Sequence, residues 1–380
     1  MNKSEVALVA CNTYDEERVY EAVIRGLGLL GGAGSFVKQG ERIVLKPNVL
    51  FGLDPAACVT THPAVFKAAA RALKEAGAEI YYGDSPGFGK CEPNMQKAGL
   101  KQAADELGVK LADFDAGRAV VHQTALLNKR FVLANGVLDA AGLVSLPKLK
   151  THGLTRMTGA IKNQFGCVPG ILKTQFHIQM PDPYDFAAML VDINTFIRPR
   201  LYIMDGITAM EGNGPRNGKP RSLNFILLSN DPVALDATAA RIIDLNPAFV
   251  PTSDQGERSG LGTYQQSGID ILGENLEAFI ARDFDVVRKP PVRATAGRLR
   301  KFFKNQICPR PVIDRELCTQ CGTCVEICPV EPKALNWDAK SDKVPQHDYD
   351  QCIRCFCCQE MCPEGAITIK NTLLGRVVSG

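Results

Sequence analysis

The sequence has little net charge and no long apolar run. Its 44 Lys and Arg residues nearly balance 41 Asp and Glu residues, which leaves a formal charge of +3 over 380 residues, so no overall basic field points to nucleic acid. No apolar run approaches the length of a membrane span, and the N-terminus lacks the basic stretch and apolar core of a signal peptide. We therefore expect a cytoplasmic protein without stable membrane insertion. In that reducing compartment the 14 cysteines indicate metal binding rather than disulfides.

The standard nucleotide-binding motifs are also missing. The sequence contains no GxxxxGKS or GxxxxGKT. The glycines at 31, 32 and 34 follow a helical pattern instead of joining a strand to a helix, and Gly83–Gly89 is rich in glycine but has the wrong spacing. We find no flavin motif either. The sequence therefore predicts neither ATP nor NAD as a ligand.

Short apolar runs alternate with helical patterns over about the first 280 residues. Such alternation predicts an α/β fold with a mainly parallel sheet and helices on both faces. The predicted strands are Glu5–Cys11, Arg42–Lys46, Glu79–Gly83, Gly142–Leu146, Leu201–Asp205 and Asn224–Ser229. The predicted helices are Asp15–Leu30, Pro63–Ala76, Asn94–Leu107 and Pro232–Ile243.

The cysteines near the C-terminus form two closely spaced runs. Each run reads Cys-x2-Cys-x2-Cys-x3-Cys-Pro, a spacing in which three thiolates wrap one [4Fe–4S] cluster and the fourth serves the other cluster. One cluster is expected to use Cys318, Cys321, Cys324 and Cys362, and the other Cys352, Cys355, Cys358 and Cys328. Zinc is the alternative for paired CxxC motifs, but two complete runs that each end in Cys-Pro argue against it. Cys357 is out of register and is predicted to be a bystander thiol.

The composition changes between these two regions. Residues 286–312 contain many basic residues, two adjacent prolines and no acid, which predicts a linker with a short helix. A solvated connector is the favoured interpretation, and a basic helix on an acidic membrane surface is the alternative. The predicted organisation is an α/β domain over residues 1–285, the linker over 286–312, and a small α+β, ferredoxin-like two-cluster domain over 313–372.

Polar residues follow several predicted strands of the α/β domain. Ligands of parallel sheets bind at the carboxyl ends of the strands, so these residues are expected to converge on one cleft that faces the cluster domain. Lysines, amides and hydroxyls near helix starts favour an anionic ligand, although each residue taken singly is also explained as a cap, a turn or a solvated charge. The predicted ligand-binding residues are Lys46, Asn48, Ser85, Lys148, Lys150, Thr151, Lys162 and Asn163. The predicted catalytic residues are His62, His152, Asp84 and Asp205, the histidines as proton donors and the carboxylates as groups that orient them or bind a cation.

Two stretches resemble known families. Asp314–Lys370 resembles the two-cluster bacterial ferredoxin domain, which implies low-potential one-electron transfer. The segments LKPN, TTHPAVF, GDSPG, MDGITAMEGNGP and NDPVALDATAARI, with the longest one, Leu146–Gly166, resemble the DUF362 family across about Val6–Leu245. Members are often fused to a ferredoxin domain. The resemblance implies an α/β fold with an iron–sulfur association, and it implies no common reaction.

Together these features favour an iron–sulfur oxidoreductase. Electrons from an external low-potential partner of the ferredoxin or flavodoxin type would cross two [4Fe–4S] clusters to an anionic small molecule or cofactor held by the N-terminal domain. Two alternatives stay open: a non-catalytic electron-transfer or metallocofactor-maturation protein, and a protein whose clusters are structural while the N-terminal domain does non-redox chemistry. The near-neutral charge of the cluster region disfavours a freely docking carrier.

Overall fold

The computed structural model describes residues 3–170, 172–293, 304–337 and 344–372. The described strands are β1 (Ser4–Ala10), β2 (Arg42–Pro47), β3 (Glu79–Tyr82), β4 (Lys110–Leu111), β5 (Gly117–Val121), β6 (Arg130–Ala134), β7 (Gly142–Leu146), β8 (Lys148–His152), β9 (Arg156–Thr158), β10 (Leu201–Glu211), β11 (Lys219–Ser229), β12 (Ile269–Gly273), β13 (Arg310–Ile313), β14 (Leu335–Asn336), β15 (Gln346–His347) and β16 (Ile367–Lys370). The described helices include α1 (Glu16–Leu29), α2 (Pro63–Glu75), α3 (Cys91–Lys97), α4 (Leu100–Glu106), α5 (Asn135–Leu138), α6 (Ala160–Asn163), α7 (Leu172–Gln179), α8 (Pro183–Ile197), α9 (Pro232–Ile242), α10 (Pro251–Arg258), α11 (Thr323–Glu326) and α12 (Cys357–Met361).

The central sheet runs in the order β12-β1-β11-β10-β7-β2-β3-β4. Its neighbouring strands are parallel, except that β11 is antiparallel to both β1 and β10. β8 continues alongside β10 and pairs with β9. The predicted mainly parallel sheet is therefore confirmed.

Helices cover both faces of this sheet. Successive strand residues point to opposite faces, and β1 shows this directly: Val9 packs in the same core as Val23 of α1, whereas Leu8 packs in a second core with Ala234 of α9. Both cores are built mainly from small and branched side chains. Each face of the sheet therefore packs in its own core, and the edges of the sheet are left available to bind a ligand.

The structure corrects two of the predicted elements. The predicted helix Asn94–Leu107 is broken into α3 and α4 at Gly99, which has a left-handed φ of 71°. The predicted strands at 201–205 and 224–229 are parts of the 11-residue strands β10 and β11. Only residues 212–218 connect these strands, and so short a connection forces an antiparallel hairpin where the alternation predicted parallel neighbours.

The small C-terminal domain contains two short antiparallel strand pairs, β13–β16 and β14–β15, with α11 and α12 between them. β13 begins at Arg310, inside the predicted linker, so the domain includes the last linker residues. Earlier linker residues lie on the α/β domain, where Arg288 pairs with Asp244 at 3.0 Å. The middle of the linker, residues 294–303, where part of the short helix was predicted, lies outside the described residues. Within the described ranges, no helix has the length and apolar character that crossing a membrane requires.

Candidate ligand site between the two domains

The C-terminal domain is docked on the carboxyl edge of the central sheet. The fully buried Gln359 of α12 donates from its side-chain amide to Asn213 Oδ1 at 2.7 Å and to the carbonyls of Asn213 and Gly214 at 3.2 Å. Asn217 donates in return to the carbonyls of Gln359 and Cys362, at 3.3 and 3.1 Å. The turn between β10 and β11 therefore holds the backbone around α12 in a fixed position against the sheet edge.

A cavity of about 100 Å³ lies between the docked domain and this edge. We call it the interdomain cavity. Its lining residues come from both domains and are Asn48, Val49, Leu50, Asp84, Gly87, Lys162, Asn163, Phe165, Gly166, Lys173, Thr174, His177, Ile327, Cys357, Glu360 and Met361. Four of the predicted site residues are therefore brought together here: Asn48, Asp84, Lys162 and Asn163.

Lys162, in the short helix α6, is the cavity cation that lacks a partner. Among the described residues it makes no hydrogen bond and no ion pair, although its side chain is only partly exposed. Burial lowers the pKa of its ammonium group, and the nearby Glu360 and Cys357 oppose that shift. An ammonium group that has lost water without gaining a partner is costly, so this end of the cavity favours an anion.

His152 holds Glu360 across the domain interface. Nδ1 of His152 accepts hydrogen bonds from the backbone of Leu154 and Thr155, at 3.0 and 3.3 Å. The proton is therefore on Nε2, which lies 3.1 Å from Glu360 Oε1. Burial lowers the pKa of His152 to about 4. Burial alone would raise the pKa of Glu360, but His152 and Lys162 outweigh it and lower that pKa to about 2, so at neutral pH Nε2 of a neutral histidine lies beside an ionised carboxylate without meeting hydrogen-bond geometry.

A buried ion pair supports the floor of the cavity. Lys46 Nζ lies 2.7 Å from Asp84 Oδ1, and both side chains are at most 3% exposed. Asp84 Oδ2 accepts from the backbone of Val49 at 2.7 Å, and Lys46 also donates to Asn163 Oδ1 at 3.3 Å. Burial raises the pKa of Asp84, against the lowering effect of Lys46. The pair fixes the loops that carry the lining residues.

Two lining residues carry polar atoms without partners. His177 of α7 is 7% exposed, and its Nδ1 has no hydrogen-bond partner among the described residues. Its ring stacks on Phe186 with 4.6 Å between ring centroids, and burial lowers its pKa to about 4. Asn48 Oδ1 is likewise buried and unpaired within the described ranges. Both atoms are available to a ligand in the cavity.

Other predicted residues form a separate network below the sheet edge. Lys148 Nζ pairs with Asp205 Oδ2 at 2.8 Å, and Tyr14 donates from its hydroxyl to Asp205 Oδ1 at 2.9 Å. His62 donates its backbone N–H to Asp205 at 3.0 Å and stacks on the Tyr14 ring at 3.7 Å. Lys148, His62 and Asp205 are thus brought to one another, and none of them lines the interdomain cavity.

Three further predicted residues are occupied by structural contacts. Lys150 is 1% exposed and donates to the carbonyl of Val59 at 2.7 Å. Thr151 donates to the carbonyl of Gly212 at 3.0 Å. Ser85 accepts from Lys173 at 2.7 Å. These contacts organise the loops around the site.

All eight cysteines predicted to hold clusters lie in the small C-terminal domain. The first cysteine set, Cys318, Cys321, Cys324 and Cys362, lines one small cavity. Burial and these neighbours raise the pKa of Cys324 to about 11. The second cysteine set is Cys352, Cys355, Cys358 and Cys328; burial, with these cysteines and Cys324, raises the pKa of Cys358 well above its usual value. Among the described residues no group of three or more His, Cys, Asp or Glu side chains is placed to hold a single metal ion, whereas thiols spread around a cavity suit a larger cluster.

The two cysteine loops repeat one backbone conformation. Gln320 and Gly322 in the first loop, and Arg354 and Phe356 in the second, all have left-handed φ values between 63° and 78°. Left-handed residues within such loops turn successive backbone N–H groups toward one concave side, which binds anions and iron–sulfur clusters. The loops therefore fit the iron–sulfur clusters that the spacing predicts.

Cys357 occupies a position that the sequence did not indicate. It lies between two members of the second cysteine set and lines the interdomain cavity. Contact with Cys355, together with burial, raises the pKa of Cys357 well above its usual value, so it is a neutral thiol. The cavity wall therefore includes a residue that is adjacent in sequence to the second cysteine set.

An α/β domain docked on an iron–sulfur domain defines the class of protein, and comparison with known proteins agrees. Residues 310–363 match the family described as 4Fe-4S dicluster domain. Residues 43–241 match the family described as Domain of unknown function (DUF362). The chain belongs to the DUF362 family and carries an iron–sulfur cluster-binding domain.

Individual relatives extend this comparison. The chain is 38% identical over 257 residues to the thylakoid-associated protein sll1697 of Synechocystis sp., across 67% of this chain and 79% of that protein. The lactate racemase apoprotein of Thermoanaerobacterium thermosaccharolyticum is similar at a TM-score of 0.40 and 12% identity, over 62% of this chain and 56% of that one. A protein from Thermotoga maritima is similar at a TM-score of 0.36 and 14% identity, over 56% of this chain and 55% of that one. The chain thus spans little more than half of either solved structure.

Sequence reasoning missed Glu360, His177 and Lys173 as lining residues. Glu360 lies within the x3 segment of the second cysteine run, where proximity to a cluster is implied, and that spacing was the available signal. His177 and Lys173 lie on α7, which follows no predicted strand. Their place in the site depends on how two separately folded domains meet.

Proposed function

We propose that the protein is a cytoplasmic iron–sulfur oxidoreductase that reduces an anionic ligand bound in the interdomain cavity. Each cysteine set would hold one [4Fe–4S] cluster, which would supply one electron at low potential. One observation carries the proposal: Lys162, which has no hydrogen-bond or ion-pair partner among the described residues, lines the same cavity as Cys357, within the second cysteine run. A ligand held there is close to the source of electrons.

The charges around the cavity support an anionic ligand. The carboxylate of Asp84 is paired with Lys46, and that of Glu360 lies 3.1 Å from Nε2 of His152, whereas Lys162 has no ion-pair or hydrogen-bond partner in the described part of the chain. A charge-assisted hydrogen bond to Lys162 would be shorter and stronger than a neutral one. Asn48 and His177 add an acceptor and a ring nitrogen that would orient the ligand.

The reaction class follows from the electron count. Two electrons and two protons convert a carbonyl group to an alcohol or saturate a C=C bond, with no leaving group. A low-potential one-electron carrier of the ferredoxin or flavodoxin type supplies the electrons. Burial lowers the pKa of Lys162, and its ammonium group can give one proton while solvent gives the other. Burial also lowers the pKa of the lining residue Lys173, to about 8, but that ammonium group already donates to Ser85 and Val168. The predicted proton donors His62 and His152 are neutral at pH 7, since burial lowers the pKa of each to about 4.

The proposal is tested by single-turnover reoxidation. Anaerobically reduced protein is mixed with a panel of 2-oxo and 2,3-unsaturated carboxylates, and the return of visible cluster absorption is followed. We expect at least one acid to accept two electrons per chain, at a rate that falls about 10- to 150-fold in Lys162→Gln, the range for loss of a charge-assisted hydrogen bond. The exposed Lys129→Gln is the matched control and should match the wild type.

Two results would contradict the proposal. One is that no acid reoxidises the clusters faster than buffer does. The other is equal rates in the wild type and Lys162→Gln. If Lys162 only balanced the negative charge of the clusters, its replacement would shift the cluster reduction potentials without changing how the reoxidation rate depends on acid concentration. The reduction potentials are therefore measured for both proteins.

A further inference from the structure

A second, more apolar cavity lies beside the first. It has a volume of about 200 Å³ and is lined by Phe51, Phe88, Arg216, Thr323, Glu326, Ile327, Met361 and Pro363. We call it the vestibule. Phe88 is 54% exposed, a large apolar side chain at the surface that the fold does not bury.

Ile327 and Met361 separate the vestibule from the interdomain cavity, since both residues line both spaces. Met361 is buried and has an unbranched, flexible side chain that can change rotamer readily. Gly87 packs closely against this boundary: a Cβ there would lie 3.6 Å from the Met361 sulfur and 3.1 Å from the carbonyl oxygen of Leu50. The two spaces are therefore neighbours with a narrow, adaptable boundary.

The two cavities differ in size and lining, so each suits a different part of one ligand molecule. An apolar cavity of about 150 Å³ accommodates a benzene ring. At about 100 Å³ the polar interdomain cavity is too small for a ring and suits a head of a few atoms, whereas the vestibule at about 200 Å³ is large enough for one. Aromatic walls add favourable ring contacts.

The charges favour one direction of entry for such a molecule. Arg216 in the vestibule has its guanidinium 4.3 Å from the Phe51 ring centroid, donates to the Met361 carbonyl at 2.8 Å and shares the vestibule with the carboxylate of Glu326. Lys162 in the inner cavity has no partner among the described residues. The anionic head therefore goes inward, beside the second cysteine set, and the apolar part stays outside.

We infer that the ligand is a small carboxylate with a ring-sized apolar tail, whose reducible group adjoins the carboxylate: an aryl or branched-chain 2-oxo acid or 2,3-unsaturated acid. The inference rests on the proposed function for the head group and adds the tail. The tail packs against Phe51 and Phe88, and Met361 moves aside to let the head pass.

Equilibrium binding to the anaerobic full-length protein tests the inference without turnover. The probes are phenylpyruvate against pyruvate, and cinnamate against acrylate, with phenylacetone as a ring without a carboxylate. We expect at least one ring-bearing acid to bind about tenfold or more tightly than its short analogue, since the ring leaves water. Phe88→Ala should reduce that ratio to below about threefold and leave the short acid unchanged. The exposed Leu126→Ala is the control for an apolar substitution far from the site.

The outcomes separate the tail from the head. If short and ring-bearing acids bind equally and both lose affinity in Lys162→Gln, the tail inference is wrong and the anion site stands. If phenylacetone binds as tightly as phenylpyruvate, or Lys162→Gln has no effect, the proposed function fails as well. If neither ring-bearing acid saturates the protein at millimolar concentration, the inferred ligand class is rejected. A ratio that Phe88→Ala and Phe51→Ala both leave intact would show that the vestibule does not hold the tail.

Discussion

The Gln359 side chain should be the main anchor of the docked iron–sulfur domain. It is completely buried and makes three hydrogen bonds to the turn after β10. The side-chain amide has two N–H donors that these three acceptors share, and at about 1 kcal/mol for each donor Gln359→Ala should cost the docked arrangement roughly 2 kcal/mol. That loss corresponds to about a 30-fold increase in transient undocking.

Hydrogen–deuterium exchange of residues 213–218 measures this opening, because exchange of a protected amide follows the population of the open state. Amides in this turn should exchange about 30-fold faster or more in Gln359→Ala, while iron content stays at the wild-type level. Gln351→Ala is the matched control, since Gln351 is exposed and donates only to Asp348 within the same domain. Exchange that is unchanged in Gln359→Ala, or equally faster in both variants, would show that the anchor lies elsewhere.

Three further predictions concern single residues. Anaerobically prepared protein should contain about eight iron and eight sulfide per chain. Cys357→Ser should retain this iron and sulfide, whereas Cys358→Ser should lose about half of it. The reverse pattern, or zinc in place of iron, would refute the predicted ligand register. Asp205→Asn should cost roughly 3–5 kcal/mol in urea unfolding because it leaves a buried lysine unpaired, whereas Asp283→Asn, in an exposed pair, should change nothing; equal effects would contradict the argument. Burial raises the pKa of Asp236 to about 7 from an ordinary 3.8, so the folded state binds the Asp236 proton more tightly than the unfolded state does. The free energy of unfolding should therefore fall as the pH rises from about 4 to 7. Asp236→Asn should remove that pH dependence, and an identical slope in both proteins would refute this prediction.

The sequence was most informative where local spacing determines structure. The two cysteine runs place their residues within a few positions of one another, so the shared cavity of Cys318, Cys321, Cys324 and Cys362 was predictable, and the crossed grouping of Cys328 stays a prediction. Strand-to-loop transitions also placed Lys46, Asn48 and Asp84 at one sheet edge, because Lys46 is near the end of β2, Asn48 follows β2 directly and Asp84 comes two residues after β3.

Residues whose role depends on distant contacts were not predictable. The sequence shows Lys148 and Lys162 as similar lysines in one segment, but Asp205, 57 residues away, pairs with the first and nothing in the described chain pairs with the second. Glu360 enters the site only because the two domains dock, and His177 only because α7 packs against Phe186 of α8. The direction of β11 was missed because strand propensity carries no information on whether neighbours are parallel.

The central claim is that an anionic ligand sits beside the second cysteine set, against Lys162. Pulsed electron–nuclear double resonance on the reduced protein, with an acid carrying ¹³C at its carboxylate, measures that proximity directly. The account predicts a resolved ¹³C coupling to a reduced cluster at saturating acid, lost in Lys162→Gln and retained in Lys129→Gln. A saturated complex that shows no ¹³C coupling in the wild type would contradict it.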